Sequence, residues 1–131
     1  MAMVSPVEEI STIGMTVHQI VERIFIEAIK HRTNIFVLVG GVDNITVVHF
    51  LNKNGHVEVI TQKILVRGHH GLDCLNCIKV NSGIDPAMPR GIEVFHRKDI
   101  KYQTGGFDSL MDLICIPAEV VGNEFLVVRI H

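Results

Sequence analysis

Aromatic residues are scarce in this sequence of 131 residues, which contains no tryptophan, one tyrosine and six phenylalanines. Apolar residues nevertheless make up 47% of the chain, and charged residues only 20%. A chain of this length and apolar content can bury a core of its own, so the composition excludes intrinsic disorder. Because large aromatic side chains are so few, valine and isoleucine have to supply most of that core, and both favour β-strands.

An excess of positive charge is also missing, since 12 lysines and arginines face 14 aspartates and glutamates, for a net charge of −2. Nucleic acids and anionic membranes both favour basic surfaces, so neither is expected as a partner. No apolar run approaches the roughly 18 residues that a membrane-spanning helix needs. Residues 1–11 carry Glu8 and Glu9, whereas a signal peptide would carry basic residues there. We therefore expect a cytoplasmic protein that does not insert into a membrane.

Motifs of the common enzyme classes are absent as well. The phosphate-loop pattern G-x-x-x-x-G-K-[ST] does not occur, and the pair Gly40–Gly41 lacks the Lys-Ser/Thr that would follow it, which indicates a turn. No serine lies in a Gly-x-Ser-x-Gly setting. The acidic residues occur mostly in predicted turns and form no evident acid–base pair. The sequence therefore predicts neither catalysis nor a bound cofactor.

Three cysteines, an odd number, do not make a disulfide framework and favour a reducing compartment. Cys74 and Cys77 form a Cys-x-x-Cys pair just after His69 and His70, and two thiolates at this spacing can chelate zinc. A structural zinc site needs four ligands, and no second pair follows downstream. Redox chemistry would need the pair at a helix N-terminus, and Cys74 lies near the start of a helix predicted over residues 72–80. We interpret both cysteines instead as small apolar residues on that helix, and we predict no metal site.

The clearest predicted element is an amphipathic helix that begins after Thr16. Thr16 and Gln19 have the spacing of a capping box. The basic residues from Lys30 to Arg32 suit the negative end of the helix dipole. Apolar residues repeat at i, i+3, i+4 and i+7, which predicts one face buried against a sheet. These residues are Val17, Ile20, Val21, Ile24, Phe25, Ala28 and Ile29.

Apolar segments bounded by glycine, proline and asparagine predict the strands. The segment from Asn52 to Gly55 separates two of them, and its Asn-Gly pair favours a hairpin because both residues tolerate positive φ. Residues 1–15 are expected to form an irregular leader, and residues 16–131 a single α+β domain with two helices packed on a mainly antiparallel sheet. The predicted strands span residues 34–39, 45–51, 57–65, 92–96, 110–116 and 125–130, in the order α-β-β-β-α-β-β-β.

Five segments of the chain carry a family resemblance. They are Ile26-Glu27-Ala28-Ile29-Lys30, the hairpin closing at Gly55, Ile78-Lys79-Val80-Asn81-Ser82-Gly83-Ile84-Asp85, Pro89-Arg90-Gly91, and Ile116-Pro117 through Gly122-Asn123-Glu124 to Val127-Val128-Arg129-Ile130. In this order they resemble the second N-terminal domain of the assembly ATPases of type II secretion and type IV pili. In that family the domain precedes the nucleotide-binding domain, and the resemblance implies a PAS-like α+β fold over about residues 17–131.

The sequence departs from this family where the family's arginines face the nucleotide held by the neighbouring ATPase domain. Phe50 and Asn52 occupy the positions of two hairpin arginines, and Ile114 stands at about the position of a third. Neither phenylalanine nor isoleucine can replace the bidentate phosphate contact of arginine. The resemblance leaves Arg90 and Arg129 as counterparts, and these two are the candidate interaction residues.

The resemblance therefore implies a non-catalytic protein-interaction module. Its expected partner is a subunit of a secretion or pilus apparatus, or a neighbouring ATPase domain. The low charge and high apolar content further predict an exposed apolar patch and self-association into a homo-oligomer. An alternative function is that of a small PAS-like sensor. Such a sensor would bind a ligand or a metal, through its cavity or through the group of His69, His70, Cys74 and Cys77.

Overall fold

The computed structural model describes residues 2–4, 8–66, 69–88, 94–117 and 123–131. Within these residues the helices are α1 (Val17–Lys30) and α2 (Gly71–Asn81), and neither is long and apolar enough to span a membrane. The strands are β1 (Ala2–Val4), β2 (Glu8–Ser11), β3 (Ile35–Gly40), β4 (Asn44–Lys53), β5 (His56–Leu65), β6 (Phe95–Thr104), β7 (Phe107–Ile116) and β8 (Phe125–Ile130). From residue 17 onwards the order α-β-β-β-α-β-β-β confirms the predicted α+β class.

All of these strands join one sheet in the order β1-β5-β4-β3-β8-β7-β6, with β2 also paired to β5. β1 and β2 lie end to end along β5 and run parallel to it, whereas the other strand pairs are antiparallel. The predicted irregular leader over residues 1–15 is therefore wrong for β1 and β2. The free edge of β5 supplies backbone hydrogen-bond partners for them, and the local sequence gives no sign of that edge.

The last three strands follow the predicted order, but two of them differ from their predicted bounds. β7 begins at Phe107, three residues before the predicted strand over residues 110–116. β6 begins at Phe95 and continues to Thr104, beyond the predicted strand over residues 92–96. Residues 92 and 93 of that prediction lie outside the described part of the chain. The β4–β5 hairpin closes as predicted, because Asn54 and Gly55 both adopt positive φ, at 52° and 81°.

Helix α1 is capped as its sequence predicts. The backbone N–H of Thr16 donates to Gln19 Oε1 at 2.8 Å, and the backbone N–H of Gln19 donates to Thr16 Oγ1 at 3.2 Å. The helix ends at Lys30, and Arg32 takes a left-handed conformation with φ of 54°. That conformation is uncommon for a side chain as large as arginine, and it directs the chain away from the helix axis towards β3.

Both helices pack on one face of the sheet, which we call the inner face. Phe25 of α1 lies at the centre of the core, fully buried, with its ring centroid 4.7 Å from that of Tyr102, 4.8 Å from Phe107 and 5.7 Å from Phe36. The three partner rings come from β6, β7 and β3, so one helical residue joins distant parts of the sheet. Stacked and edge-on aromatic contacts of this kind add stability beyond the burial of their area.

Helix α2 begins very close to the β3–β4 turn. The backbone N–H of Gly71 donates to the carbonyl of Gly41 at 2.9 Å. A Cβ atom added at Gly71 would lie 2.5 Å from that carbonyl oxygen and 2.6 Å from the carbonyl oxygen of Asn44. Only glycine therefore permits this approach, which fixes the start of α2 against the sheet.

Candidate functional site

The face of the sheet opposite the helices is mainly apolar along the five strands from β5 to β7. Cross-strand registers align its side chains in three rows, with Val37 of the central strand β3 in the middle row. The rows are Thr61-Val48-Val37-Val127-Ile114, Val59-Phe50-Ile35-Arg129-Asp112 and Lys63-Thr46-Val39-Phe125-Ile116. We call these fifteen residues the outer face.

The outer face is open in the part of the chain that the structure describes. Its residues are half-buried, apart from the exposed Arg129, whereas most of their inner-face neighbours on the same strands are buried. Val37 is half-buried, for example, while Phe36 and Leu38 beside it have no exposed surface. Neighbouring side chains on a sheet shield each other, and a covering layer would bury them completely. Antiparallel sheets with one solvated face normally place polar residues there, so this apolar face is unusual.

Two shallow hollows flank the centre of the outer face. One has a volume of about 260 Å³ and is lined by Asn34, Ile35, Phe50, Leu51, Asn52 and Val57. The other has a volume of about 250 Å³ and is lined by His96, Lys98, Asp112, Ile114, Val127 and Arg129. Apolar side chains of a partner can enter hollows of this kind, which is how interface anchors are usually held.

Arg129, one of the two candidate interaction residues, lies on β8 within the outer face. It is exposed, and its cross-strand neighbours are Ile35 and Asp112. Arg90, the other candidate, lies outside the described residues. Arg129 is thus a charged residue beside an apolar centre, the arrangement typical of the border of a protein interface.

Asp112 belongs to a small polar cluster next to Arg129. Its Oδ1 accepts hydrogen bonds from His131 Nε2 at 2.8 Å and from the backbone N–H of Asp99 at 2.9 Å, and these bonds lower the pKa of Asp112. His131 Nε2 also lies 3.9 Å from Asp99 Oδ1. Among the described residues this is the only group of three that brings metal-ligating atoms together. The charge of Arg129 beside it opposes a cation, so we interpret the group as an ion-pair cluster.

The two thiols of the Cys-x-x-Cys pair occupy different environments on α2. Cys74 is buried in the core, and burial raises the pKa of its thiol to about 12. Cys77 is half-buried, with its Sγ 3.6 Å from His18 Nδ1, and burial raises its pKa as well. A reactive or redox cysteine needs a lowered pKa, so the surroundings of both thiols oppose redox chemistry.

The two histidines before α2 are engaged in backbone contacts. His70 caps the helix, because its Nδ1 accepts from the backbone N–H of Leu72 at 3.2 Å. His69 Nε2 lies 3.2 Å from the carbonyl oxygen of Met15. In the described part of the chain, these histidines and the two cysteines do not gather around a common point where an ion would bind. The group is explained by helix capping and core packing.

A hydrogen-bonded series of polar side chains lies between α1 and the inner face, and no sequence motif indicates it. We call it the polar chain, and its members are Arg23, Glu27, His31, His49 and Gln62. Gln62 is its centre, fully buried on β5. Its Oε1 lies 2.6 Å from His49 Nε2, and its Nε2 lies 3.2 Å from Glu27 Oε2 and 2.9 Å from His31 Nε2. At the surface end, Arg23 Nε donates to Glu27 Oε1 at 3.0 Å. Among the described residues, His49 Nδ1 is the one buried side-chain nitrogen or oxygen atom without a hydrogen-bond partner.

These contacts fix the protonation pattern of the polar chain. Gln62 Oε1 can only accept, so His49 carries its proton on Nε2 and leaves a lone pair on the buried Nδ1. The amide of Gln62 has two hydrogens, and it donates one to Glu27 and one to His31 Nε2. His31 Nε2 is therefore an acceptor, and the neutral ring of His31 carries its proton on Nδ1.

Acidification is expected to destabilise the fold through His49. Burial lowers the pKa of His49 below 6.5. A second proton, on Nδ1, would also find no acceptor among the described residues. The unfolded chain then binds more protons than the folded chain below pH 6.5. The contribution of His49 is intact above pH 6.5 and decreases as the pH falls towards the lowered pKa, by up to about 1.4 kcal/mol per pH unit. Urea unfolding at pH 7.5 and 5.5 measures this loss.

Two variants distinguish His49 from the other histidines. His49→Gln keeps a donor for Gln62 and does not titrate, so its free energy of unfolding should depend less on pH than that of the parent. His56→Gln removes an exposed histidine at the hairpin and is the matched control with which the effect of His49→Gln is compared. An equal pH dependence in the parent and in His49→Gln would contradict the assignment.

A second buried polar contact joins α2 to the residue that precedes β8. The side chain of Lys79 is 1% exposed and forms an ion pair with Glu124, while its Nζ also lies 3.4 Å from the carbonyl oxygen of Pro86. Burial lowers the pKa of Lys79. A buried ammonium group needs such partners to remain charged, so this contact is structural.

The chain matches no protein-family model and no curated protein sequence. Its resemblance to the assembly-ATPase domain therefore rests on the five segments alone, and the function that it implies stays a prediction. Among the described residues, the outer face is an extended apolar surface that neither the core nor the polar chain explains.

Proposed function

We propose that this chain is a non-catalytic protein-interaction module that docks a partner protein on the outer face of its sheet. The observation that supports this proposal is the apolar centre of that face, uncovered in the described residues. Exposed apolar patches rimmed by polar residues mark protein-binding sites on soluble domains. We also propose that the module acts in the cytoplasm, which its free cysteines Cys74, Cys77 and Cys115 favour.

The size of the outer face favours a protein partner. Five strands about 4.8 Å apart and five residues of about 3.3 Å each give a flat area of about 400 Å². That is about half of what one partner contributes to a specific interface of standard size. The face is thus large enough for the apolar centre of an interface, and Lys63, Arg129 and Asp112 lie where its polar rim would form.

The resemblance adds a partner class, namely a subunit or an ATPase domain of a secretion or pilus apparatus. Phe50, Asn52 and Ile114, which stand where that family has arginines, all lie on the outer side of the sheet. Apolar residues at two of these positions enlarge the apolar surface and remove the charge that a phosphate would need. This exchange supports contact with a protein surface at the place where the family faces a nucleotide.

Val37→Lys is the variant that tests docking most directly. Val37 lies at the centre of the outer face, between Val48 and Val127, so a charge there would be buried in any complex. We expect the affinity for the partner to fall about thirtyfold or more. In the free protein the lysine is solvated, so thermal unfolding should change little. Pull-down of the purified chain from lysate, with identification of the captured proteins, provides the partner for the affinity measurement.

The matched control is Val80→Lys, which places the same charge on an exposed apolar residue of α2, on the helical side. Capture of a secretion or pilus component that is lost in Val37→Lys and kept in Val80→Lys supports the proposal. Capture of no such component, or equal capture by both variants, contradicts it. Sedimentation at increasing concentration shows whether a second copy of the chain occupies the face instead.

A further inference from the structure

We propose that a cavity at the C-terminal end of α1 binds a phosphate monoester. The cavity has a volume of about 540 Å³ and is lined by Lys30, His31, Arg32, Leu51, Asn52 and Ile60. Volumes of this order are typical of sites for small molecules. The inference concerns a small-molecule site and does not depend on the docking of a protein to the outer face.

Charge distinguishes this cavity from the hollows of the outer face. Lys30 and Arg32 line it together, and none of its lining residues is acidic. In the part of the chain that the structure describes, neither cationic side chain forms an ion pair or hydrogen bond with another residue. Two unpaired cations at one opening are notable in a chain with a net charge of −2. Unpaired cations that converge on one cavity favour an anionic ligand.

His31 supplies a third donor, and the hydrogen bond from the buried Gln62 fixes the orientation of its ring. Its Nε2 accepts from the Gln62 amide, so its Nδ1 carries the proton and has no protein partner among the described residues. Because Gln62 is fully buried and is itself held by Glu27 and His49, the ring of His31 is positioned before any ligand arrives. Preorganised donors cost a ligand less free energy to engage than mobile ones.

The negative charge closest to His31 is already neutralised in part. Glu27 Oε2 lies 3.7 Å from His31 Nε2, but Arg23 donates to Glu27 Oε1 at 3.0 Å. Glu27 is 4% exposed at its side chain, and it does not line the cavity. The carboxylate therefore orients the polar chain behind His31 and presents no acidic oxygen to a ligand.

The lining favours a phosphate monoester over a carboxylate or a free inorganic ion. Lys30, His31 and Arg32 offer donors for three oxygens, which a phosphate has and a carboxylate lacks. Leu51 and Ile60 provide apolar contact for the group esterified to the phosphate. Arg32 reaches this position through its left-handed backbone, with φ of 54°. The residues thus match both halves of an amphiphilic phosphate ester.

Titration of the purified chain with phenyl phosphate, followed by amide NMR, tests this site. We expect saturable shifts at residues 30–32, 51, 52 and 60, weaker binding of inorganic phosphate, and no binding of phenol. Lys30→Gln and Arg32→Asn should each weaken phenyl phosphate binding about tenfold or more, as expected for loss of a charge-assisted hydrogen bond. Asparagine is chosen at position 32 because it tolerates the left-handed conformation.

Lys101→Gln is the matched control, since it removes an exposed lysine from β6, at the opposite edge of the sheet. Its phenyl phosphate affinity should equal that of the parent. An alternative role for Lys30 and Arg32 is interaction with the dipole of α1. That role predicts lower thermal stability of both variants and unchanged phenyl phosphate binding, and this result would overturn the proposal. Shifts that do not saturate, or an equal loss in Lys101→Gln, would overturn it too.

Discussion

Replacement of Gly71 by alanine is expected to destabilise the protein by about 3 kcal/mol, because the added methyl group would overlap with backbone atoms. It would lie 2.5 Å from the carbonyl oxygen of Gly41 and 2.6 Å from that of Asn44. Neither contact can be relieved by a side-chain rotation, so α2 or the β3–β4 turn has to move. Such movement also breaks the hydrogen bond from Gly71 N–H to Gly41.

Thermal unfolding measures this loss, and a decrease in the melting temperature of about 10 °C corresponds to it in a domain of this size. Gly106→Ala is the control, since a Cβ atom there meets nothing within 4 Å. It should leave the melting temperature nearly unchanged. If both variants melt at the parent temperature, the close approach of α2 to the β3–β4 turn is wrong.

Gln62→Leu is expected to have a similar or larger effect, of about 4 kcal/mol, although leucine fits a core position by size. Gln62 accepts the hydrogen bond of His49 Nε2, and it also binds Glu27 and His31. Its removal leaves the His49 Nε2–H buried without that acceptor and takes a donor from Glu27. Unsatisfied buried polar groups cost more than the hydrogen bonds that they lose. Urea unfolding at pH 7.5 measures the effect.

A double-mutant cycle shows that the loss arises from the polar chain. In His49→Leu/Gln62→Leu the unsatisfied imidazole is gone, so the double variant should be more stable than the sum of the single effects predicts, by about 1 kcal/mol or more. Thr61→Val, at the neighbouring position on the outer face, is the control and should change stability little. Additive single effects would contradict a hydrogen-bonded chain through Gln62.

The elements that the sequence predicted correctly are those whose signals are local. The capping box of Thr16 and Gln19 and the positive φ of Asn54 and Gly55 depend on neighbouring residues only. β1 and β2 depend on the distant edge of β5, with which they pair across more than 50 residues of chain. No local pattern encodes that pairing, and this explains the incorrect leader.

The candidate sites were harder to predict, for two physical reasons. β3 is a continuous apolar run, Ile35 to Val39, which is typical of a strand buried on both faces. The run therefore predicts a strand without revealing that none of the described residues covers one of its faces. The residues of the polar chain occupy positions with the periodicity of the core, and only the fold brings Glu27, Gln62 and His49 together. Polar residues at core positions were the available signal.

Because side chains alternate along the strands, the residues that build the core and those that form the outer face occupy different positions of the sequence. On β3, even-numbered residues such as Phe36 and Leu38 build the core, while odd-numbered residues such as Val37 face outwards. The side chains that this strand presents on the outer face can thus change at every second residue with little effect on the core. A library randomised only at outer-face positions is therefore expected to yield mostly folded proteins. Randomising the intervening positions is expected to yield mostly unfolded ones.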